Sequence, residues 1–482
     1  MIKAAAALAA LALVGVFTTA LNPYTRLFAL AVAALVFAAV ALRRTVGRSP
    51  EFGFLAVALI CGSLLSVTEP RNFNSWDELI HYQRAENIAS VLVPDLYFRP
   101  DTTSSSYSIE QQNKIDTLVD GSYQRSRRKP TFYDLTYNKV GYLPSAIALA
   151  IGSWIHLPHH LCFVVGRWMN VVLYSLVVFF AIRKLATGKM IMSVIALFPT
   201  SIFLASNYNY DSWVTAFTML GLAYLFGGLQ RPDKRLTVCE MCLMLGAFVV
   251  GLGPKAIYFP LMLLLFLLRP DKFTSPMHHK YFTRATALST VLVICSFVLP
   301  FVFSGIGGND KRGGDAVNSA EQVKFILGQP LVYIKILLGF MLKYFDPTRA
   351  GRFTTFFSYL GMANGVWVVL GTLGLAALTD KNRHDEATAT WRIRSSVVAV
   401  FLATVSLIAT ALYVSFTPVG SPGISGVQPR YLIPLLFPLF LVSGSSRLKI
   451  PFNRDIYHSA LFTVMAFVMM LGIWDRVVSR YY

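Results

Sequence analysis

The sequence predicts an all-α, polytopic membrane protein with about 13 transmembrane helices. Three observations predict it. The 482 residues are 55% hydrophobic and only 14% charged, whereas a soluble domain carries about a quarter charged residues; the mean hydropathy is +0.56. Apolar runs close to the ~20 residues a helix needs to cross a bilayer recur along the whole chain. Lys and Arg cluster in alternate short loops, the pattern of cytoplasmic loops between spans.

The predicted spans are Lys3–Ala20, Arg26–Leu42, Phe52–Thr68, Phe163–Ile182, Met190–Ser206, Tyr210–Leu229, Thr237–Leu252, Lys255–Leu268, Ala285–Phe303, Thr355–Leu378, Ser395–Tyr413, Tyr431–Ser446 and Ile456–Trp474. The first twenty residues read equally as a signal peptide. Residues 1–51 form an N-terminal transmembrane hairpin, and residues 52–482 the main transmembrane domain. One set of loops holds Arg43, Arg44 and Arg48; Arg183, Lys184 and Lys189; Arg231, Lys234 and Arg235; Arg269 to Arg284; Lys381 to Arg394; and Arg447 to Arg454. The opposite short loops lack such clusters. The formal net charge of +19 is therefore a topology signal, and nucleic acid is not implied as a partner.

Three sizeable segments are left on the outer side, 69–162, 304–353 and 415–430. Within the first, Tyr142–Ile155 is apolar. Counted as a span, it would place the basic segment after Ile182 outside, so it reads as an interfacial or re-entrant helix. The five cysteines lie mostly in apolar runs, and Cys239-x-x-Cys242 has no second pair nearby to complete a zinc site. His156, His159 and His160 cluster at an outer bend, which keeps a divalent metal open. The stretch Gly305–Gly314 lacks the Lys-Ser/Thr ending of a P-loop and reads as a mobile lid or acceptor loop.

The chemistry-bearing residues gather on the outer side. Asp77 and Glu78 follow an outward-going span by about nine residues. A carboxylate at a membrane surface can take a proton from an acceptor hydroxyl. Asp77, His81, Arg84 and Ile88 share one face at helical spacing. Arg167 and Asn170 lie near the outer end of an apolar span, where an ionisable side chain is costly and usually functional. Asp211 follows S-N-Y-N-Y at an outer turn, Lys255 and Tyr258 follow Gly253-Pro254 at another, and Gln428, Arg430 and Tyr431 enter a span from the third outer segment. Cations so placed can stabilise charge on a leaving phosphate.

Several stretches carry a family resemblance: D-E-x-x-H-x-x-R-A at Asp77–Ala85, P-S-A at Pro144–Ala146, R-x-x-N at Arg167–Asn170, N-Y-D ending at Asp211, K-A-I-Y at Lys255–Tyr258 and Q-P-R-Y-L-I-P at Gln428–Pro434. In these the chain resembles the bacterial membrane family of domain of unknown function 2142, which is similar to the GT-C class of glycosyltransferases. The resemblance implies a GT-C-like fold in the bacterial inner membrane with its site facing outward. It implies a polyprenyl-phosphate-linked sugar as donor, a polysaccharide or glycolipid as acceptor, Asp77 as general base with Glu78 as its partner, and Lys255 and Arg430 at the donor phosphate. The hairpin ahead of Phe52 departs from the common GT-C start. Two other functions fit an outward-facing polar site: a lipid-linked glycan flippase or transporter, and a polysaccharide polymerase or ligase.

Overall fold

The computed structural model describes residues 22–70, 75–94, 96, 134–303, 314, 316–380, 390–443 and 453–482. The predicted span Lys3–Ala20, most of the Gly305–Gly314 stretch, and the loop residues Lys381, Arg383, Arg447 and Lys449 lie outside them. Among the described residues the chain is helical, with only two isolated β-bridges. In order the main helices are α1 Pro23–Ala41, α2 Glu51–Thr68, α3 Glu78–Leu92, α4 Leu143–Trp154, α5 His159–Lys184, α6 Lys189–Ala196, α7 Pro199–Ala205, α8 Asp211–Leu229, α9 Val238–Leu252, α10 Pro276–Phe303, α11 Ser319–Gly328, α12 Pro330–Tyr344, α13 Val366–Thr379, α14 Trp391–Phe416, α15 Ile433–Ser443 and α16 Arg454–Ile473.

Eight of the described helices are long and apolar enough to cross a membrane: α1, α2, α5, α8, α9 with the 3-10 turn Gly253–Tyr258 that continues it, α10, α14, and α16 with its C-terminal extension. The pair α11 and α12, bent by 106°, raises the number to nine if it is counted as one span. That is fewer than the thirteen expected: Lys3–Ala20 lies outside the described residues, and four other runs differ for local reasons. The Met190–Ser206 run is split into α6 and α7 ahead of Pro199, which has no N–H to continue the ladder. The Lys255–Leu268 run is kinked at Lys255 (φ −148°, ψ 65°) and continues only as short turns. The Thr355–Leu378 run is helical only from Val366, because Gly361 and Gly365 take φ of 95° and 96°. The Tyr431–Ser446 run begins as a 3-10 turn and gives an α15 of 11 residues.

The α6–α7 segment nonetheless runs beside the whole of α2. Lys189 Nζ meets Glu51 Oε2 at 3.2 Å at one end, and Asn207 Nδ2 donates to Glu69 Oε2 at 2.9 Å at the other. Its residues from Met190 to Ala205 are all buried. An interrupted backbone at this depth must have its freed polar groups satisfied by protein. Tyr174 of α5 donates to Ala196 O at 2.8 Å, Ser201 to Ile195 O at 3.1 Å, and Thr200 accepts from Phe356 N at 2.7 Å.

Helix α2 packs antiparallel to α5. A Cβ at Gly62 would come within 2.6 Å of Val171, and such close approach through small residues is how helices associate in lipid. It brings Glu69, just beyond α2, to the level of Arg167 on α5. Below that level the basic loops share one end of the bundle: Lys184 pairs with Glu240 at 2.5 Å, Lys189 with Glu51, and Lys272 donates to the carbonyls of Arg231 and Lys234 at 2.5 and 2.7 Å.

Above it α5 runs on for two more turns. Helix α4, 12 residues long and too short to span, lies against these turns, with Ser145 donating to Gly166 O at 2.9 Å. Helices α3, α4 and the start of α5 enclose a second small core around Tyr82, Ile88, Leu149 and Phe163. The expected interfacial helix Tyr142–Ile155 is this cap, and Ile151, Trp154 and Ile155 stand exposed on it.

Candidate functional site

The site lies where the cap meets the bundle, and the segment Ser206–Asp211 is its hub. Asn207 binds Glu69, as above. Tyr208 N donates to Glu78 Oε1 at 3.2 Å, and its hydroxyl to Phe163 O at 3.0 Å. Asn209 Oδ1 accepts from Ser212 N and so caps α8. The Tyr210 ring meets His81 edge-on at 5.2 Å. Asp211 opens α8 and faces two cations.

The deeper half is built on Arg167, which is wholly buried. Its Nε and Nη2 grip Glu78 Oε1 and Oε2, both at 2.8 Å. Nη1 donates to Glu69 O at 2.9 Å, and Nη2 also to Pro70 O at 3.3 Å. Among the described residues the Glu69 carboxylate accepts a hydrogen bond from Asn207 alone, with Arg167 Nη2 3.9 Å away. Two buried carboxylates thus share one guanidinium, and Glu78 has most of it. Burial, with Glu78 nearby and against the pull of Arg167, raises the Glu69 carboxyl from the usual 4.5 to about 8. The folded protein then binds more protons than the unfolded chain between pH about 4.5 and about 8. Stability is expected to fall as pH rises through that window and to level off above it. Thermal unfolding in detergent at a series of pH values checks this. Glu69→Gln should flatten the slope, and an unchanged slope would place the proton elsewhere.

The shallower half is built on Asp211. Its Oδ1 lies 2.9 Å from Lys255 Nζ, and its Oδ2 2.8 Å from Arg430 Nε. Lys255 Nζ sits 3.5 Å from the centre of the Tyr431 ring, and the Arg430 guanidinium 4.1 Å from that of Trp76. Both are cation–π distances. The trio carries one net positive charge. Arg430 is 6% exposed, yet its Nη1 makes no hydrogen bond to a described residue, and the buried Gln428 Oε1 likewise lacks one. Tyr258, buried beneath, donates to Tyr431 O at 2.8 Å and fixes the aromatic floor.

Asp77 and its neighbours border this half. Asp77 takes a left-handed conformation (φ 55°, ψ 20°), which Asp tolerates better than most residues. The turn separates two adjacent acids: Glu78 is buried, Asp77 half-buried. The buried face of α3 therefore runs through Glu78, His81, Tyr82, Ala85, Ile88 and Ala89. Of the expected stripe Asp77–His81–Arg84–Ile88, His81 and Ile88 lie on this face, and Arg84 is corrected to the exposed side. His81 Nδ1 is 2.8 Å from Tyr142 OH, and Arg84 Nη1 donates to the same hydroxyl at 3.5 Å. Burial lowers the His81 pKa to about 4, with Asp211 and Asp77 opposing and Arg430 and Arg84 reinforcing. The imidazole is neutral at pH 7.

The expected residues thus divide into two groups. Asp77, His81, Asp211, Lys255, Gln428, Arg430 and Tyr431 meet at the shallower half. Glu78 and Arg167 are consumed by their ion pair, and Asn170 Nδ2 by Asn207 O at 2.9 Å. Glu78 is therefore corrected from an accessible partner of Asp77 to a buried anchor of α3. Glu69 and Tyr142 were not singled out by sequence. Glu69 carried a signal, an acid directly ending an apolar run. No group of three His, Cys, Asp or Glu that could hold a metal occurs among the described residues, His156, His159 and His160 included. Cys61, Cys239, Cys242 and Cys295 are free thiols.

Fold and site together define a polytopic helical membrane protein with a charged, aromatic-lined site at one end of its bundle. The chain belongs to the predicted membrane protein family DUF2142, whose family pattern matches residues 110–439, more than half of the sequence. No curated protein and no solved structure matches it. Lys255, Arg430 and Asp211 fall inside the matched region, and Asp77 precedes it.

Proposed function

We propose that the protein is a GT-C-like glycosyltransferase of the bacterial inner membrane, with about 13 crossings when interrupted segments such as α6–α7 are counted. It moves a sugar from a polyprenyl-phosphate donor to a cell-surface polysaccharide or glycolipid on the extracytoplasmic face. The observation that carries this reading is Arg430. It is nearly buried, ion-paired through Nε to the carboxylate that also holds Lys255, and stacked on Trp76, and its Nη1 makes no hydrogen bond to a described residue. A positively biased site with an aromatic wall suits a sugar phosphate. The acceptor oxygen bonds to the anomeric carbon as the bond from that carbon to the phosphate oxygen breaks. The acceptor proton passes to Asp77, and the phosphate leaves with the electron pair. The basic loops gathered at the opposite end support an outward-facing site.

An apolar groove of about 590 Å³ between α1, α2 and α16 contains none of the site residues, so the donor lipid is not assigned to it. Translocation of a lipid-linked glycan is a second reading, drawn from the interrupted α6–α7 span. That break is packed among apolar side chains, and the charged groups sit at the bundle end. Purified protein in proteoliposomes, given labelled polyprenyl-phosphate sugar and acceptor glycan, separates the two. Transfer abolished by Asp77→Asn is expected, and unaltered labelled lipid appearing in the opposite leaflet would replace transfer with translocation.

A further inference from the structure

Tyr142 has two partners for its hydroxyl, and they differ in kind. Arg84 can only donate, since a guanidinium has no acceptor. His81 Nδ1, at 2.8 Å, is the one that can accept. A hydroxyl has a single proton, and of these two partners only Nδ1 can take it. A neutral imidazole whose Nδ1 accepts carries its own proton on Nε2. The chain of donors runs Arg84 to Tyr142 to His81, and its last N–H is at Nε2, which makes no hydrogen bond to a described residue.

Tyr142 is firmly placed. It ends the 3-10 turn Tyr137–Tyr142, and a Cβ on the preceding Gly141 would come within 2.8 Å of Tyr210 and 2.9 Å of Pro254. Those are the neighbours of Asp211 and Lys255, so one packing contact fixes both the relay and the cation pair. His81 meets the Tyr210 ring edge-on at 5.2 Å, one residue from Asp211.

We infer that Tyr142 holds His81 as the Nε2–H tautomer, and that His81 donates an uncharged hydrogen bond to a phosphate oxygen of the lipid-linked donor. Tyr142 is a positioning residue and His81 a ligand-binding one. The assignment rests on the phosphate reading of the site and specifies it. It gives the proton-accepting role to Asp77 alone, because an imidazole with Nδ1 occupied and Nε2 protonated has no lone pair for an acceptor hydroxyl. A neutral donor also holds phosphate without adding a third cation that would compete for Asp211.

The test uses the full-length protein in detergent with farnesyl phosphate as probe and farnesol as uncharged control. Wild type should bind the phosphate and not the alcohol. His81→Gln, which can place an amide N–H where Nε2–H stood, should stay within a few-fold of wild type. His81→Ala should bind about ten- to a hundred-fold more weakly, the range for losing a hydrogen bond to a charged group. In ¹⁵N-histidine-labelled protein, the His81 signal, assigned by its absence from His81→Gln, should show a protonated Nε2. Tyr142→Phe should lose that fixed tautomer and weaken binding. A proton found on Nδ1, or His81→Gln as weak as His81→Ala, would overturn the inference while wild-type binding left the phosphate reading standing. Wild type failing to bind farnesyl phosphate would overturn both.

Discussion

Replacing Arg167 with methionine is expected to lower the stability of the folded protein by about 3–5 kcal/mol, the range for removing one partner of a buried ion pair. The cost comes from what is left behind. Among the described residues Glu78 keeps only the Tyr208 N–H at 3.2 Å, and the carbonyls of Glu69 and Pro70 lose the donors that face them. Glu69, already raised in pKa, loses the one cation opposing its burial. Because Glu78 opens α3, an unpaired Glu78 also loosens the helix that carries His81. The effect should be strongly non-additive. Combining Arg167→Met with Glu78→Gln removes the stranded charge and should recover a large part of the loss, as expected for groups in one network. Thermal unfolding of both single variants and the double variant in the same detergent measures this. Equal, additive losses would show that the two side chains do not stabilise each other.

Arg167 also shows what sequence can and cannot reveal here. An arginine inside an apolar run was visible as an anomaly, because burying a guanidinium in a membrane helix requires a partner. The partner was not visible: Glu78 lies 89 residues away, across a long polar segment. Asp211, Lys255 and Arg430 were legible in the same limited sense. Each was an ionisable group at the outer end of an apolar run, but their junction joins positions 44 and 219 residues apart. Only the packing of α8, the end of α9 and the start of α15 makes it. Adjacency in sequence misled in the opposite direction. Asp77 and Glu78 read as one acidic pair until the left-handed turn at Asp77 sent them into different surroundings.

The spans follow the same pattern. Apolar length and basic loops identified α2, α5, α8, α10, α14 and α16, because those properties are summed over many residues. A break inside an apolar run leaves hydropathy unchanged. The punctuation was present at Pro199, Pro254, Gly361 and Gly365, yet whether a proline or glycine interrupts a helix depends on whether neighbours can satisfy the freed carbonyls. Tyr174 and Ser201 do so at the α6–α7 break. The short interfacial α4 was legible through charge: counting it as a span would have inverted every later basic loop.

Arg430→Gln is expected to reduce sugar transfer by about 10²- to 10³-fold, the range for removing one preorganised donor to a developing oxyanion, while leaving the fold intact. The fold should survive because Asp211 keeps Lys255 at 2.9 Å after the change. In contrast to Arg167, no carboxylate is stranded. Arg430→Lys discriminates between charge and geometry. A lysine keeps the positive charge, but a single ammonium cannot reach Asp211, stack on Trp76 and present a further N–H, as the planar guanidinium does. Its rate should therefore lie well below wild type even though the site's net charge is unchanged. Lys255→Gln should cost less in transfer, since the Lys255 ammonium is already held between Asp211 and the Tyr431 ring. Initial rates with labelled polyprenyl-phosphate sugar in proteoliposomes, each variant first shown to be monodisperse and to unfold at the wild-type temperature, give the comparison. A folded Arg430→Gln protein transferring at the wild-type rate would remove the observation on which the proposed function rests, and Arg430→Lys at full rate would show that charge alone suffices.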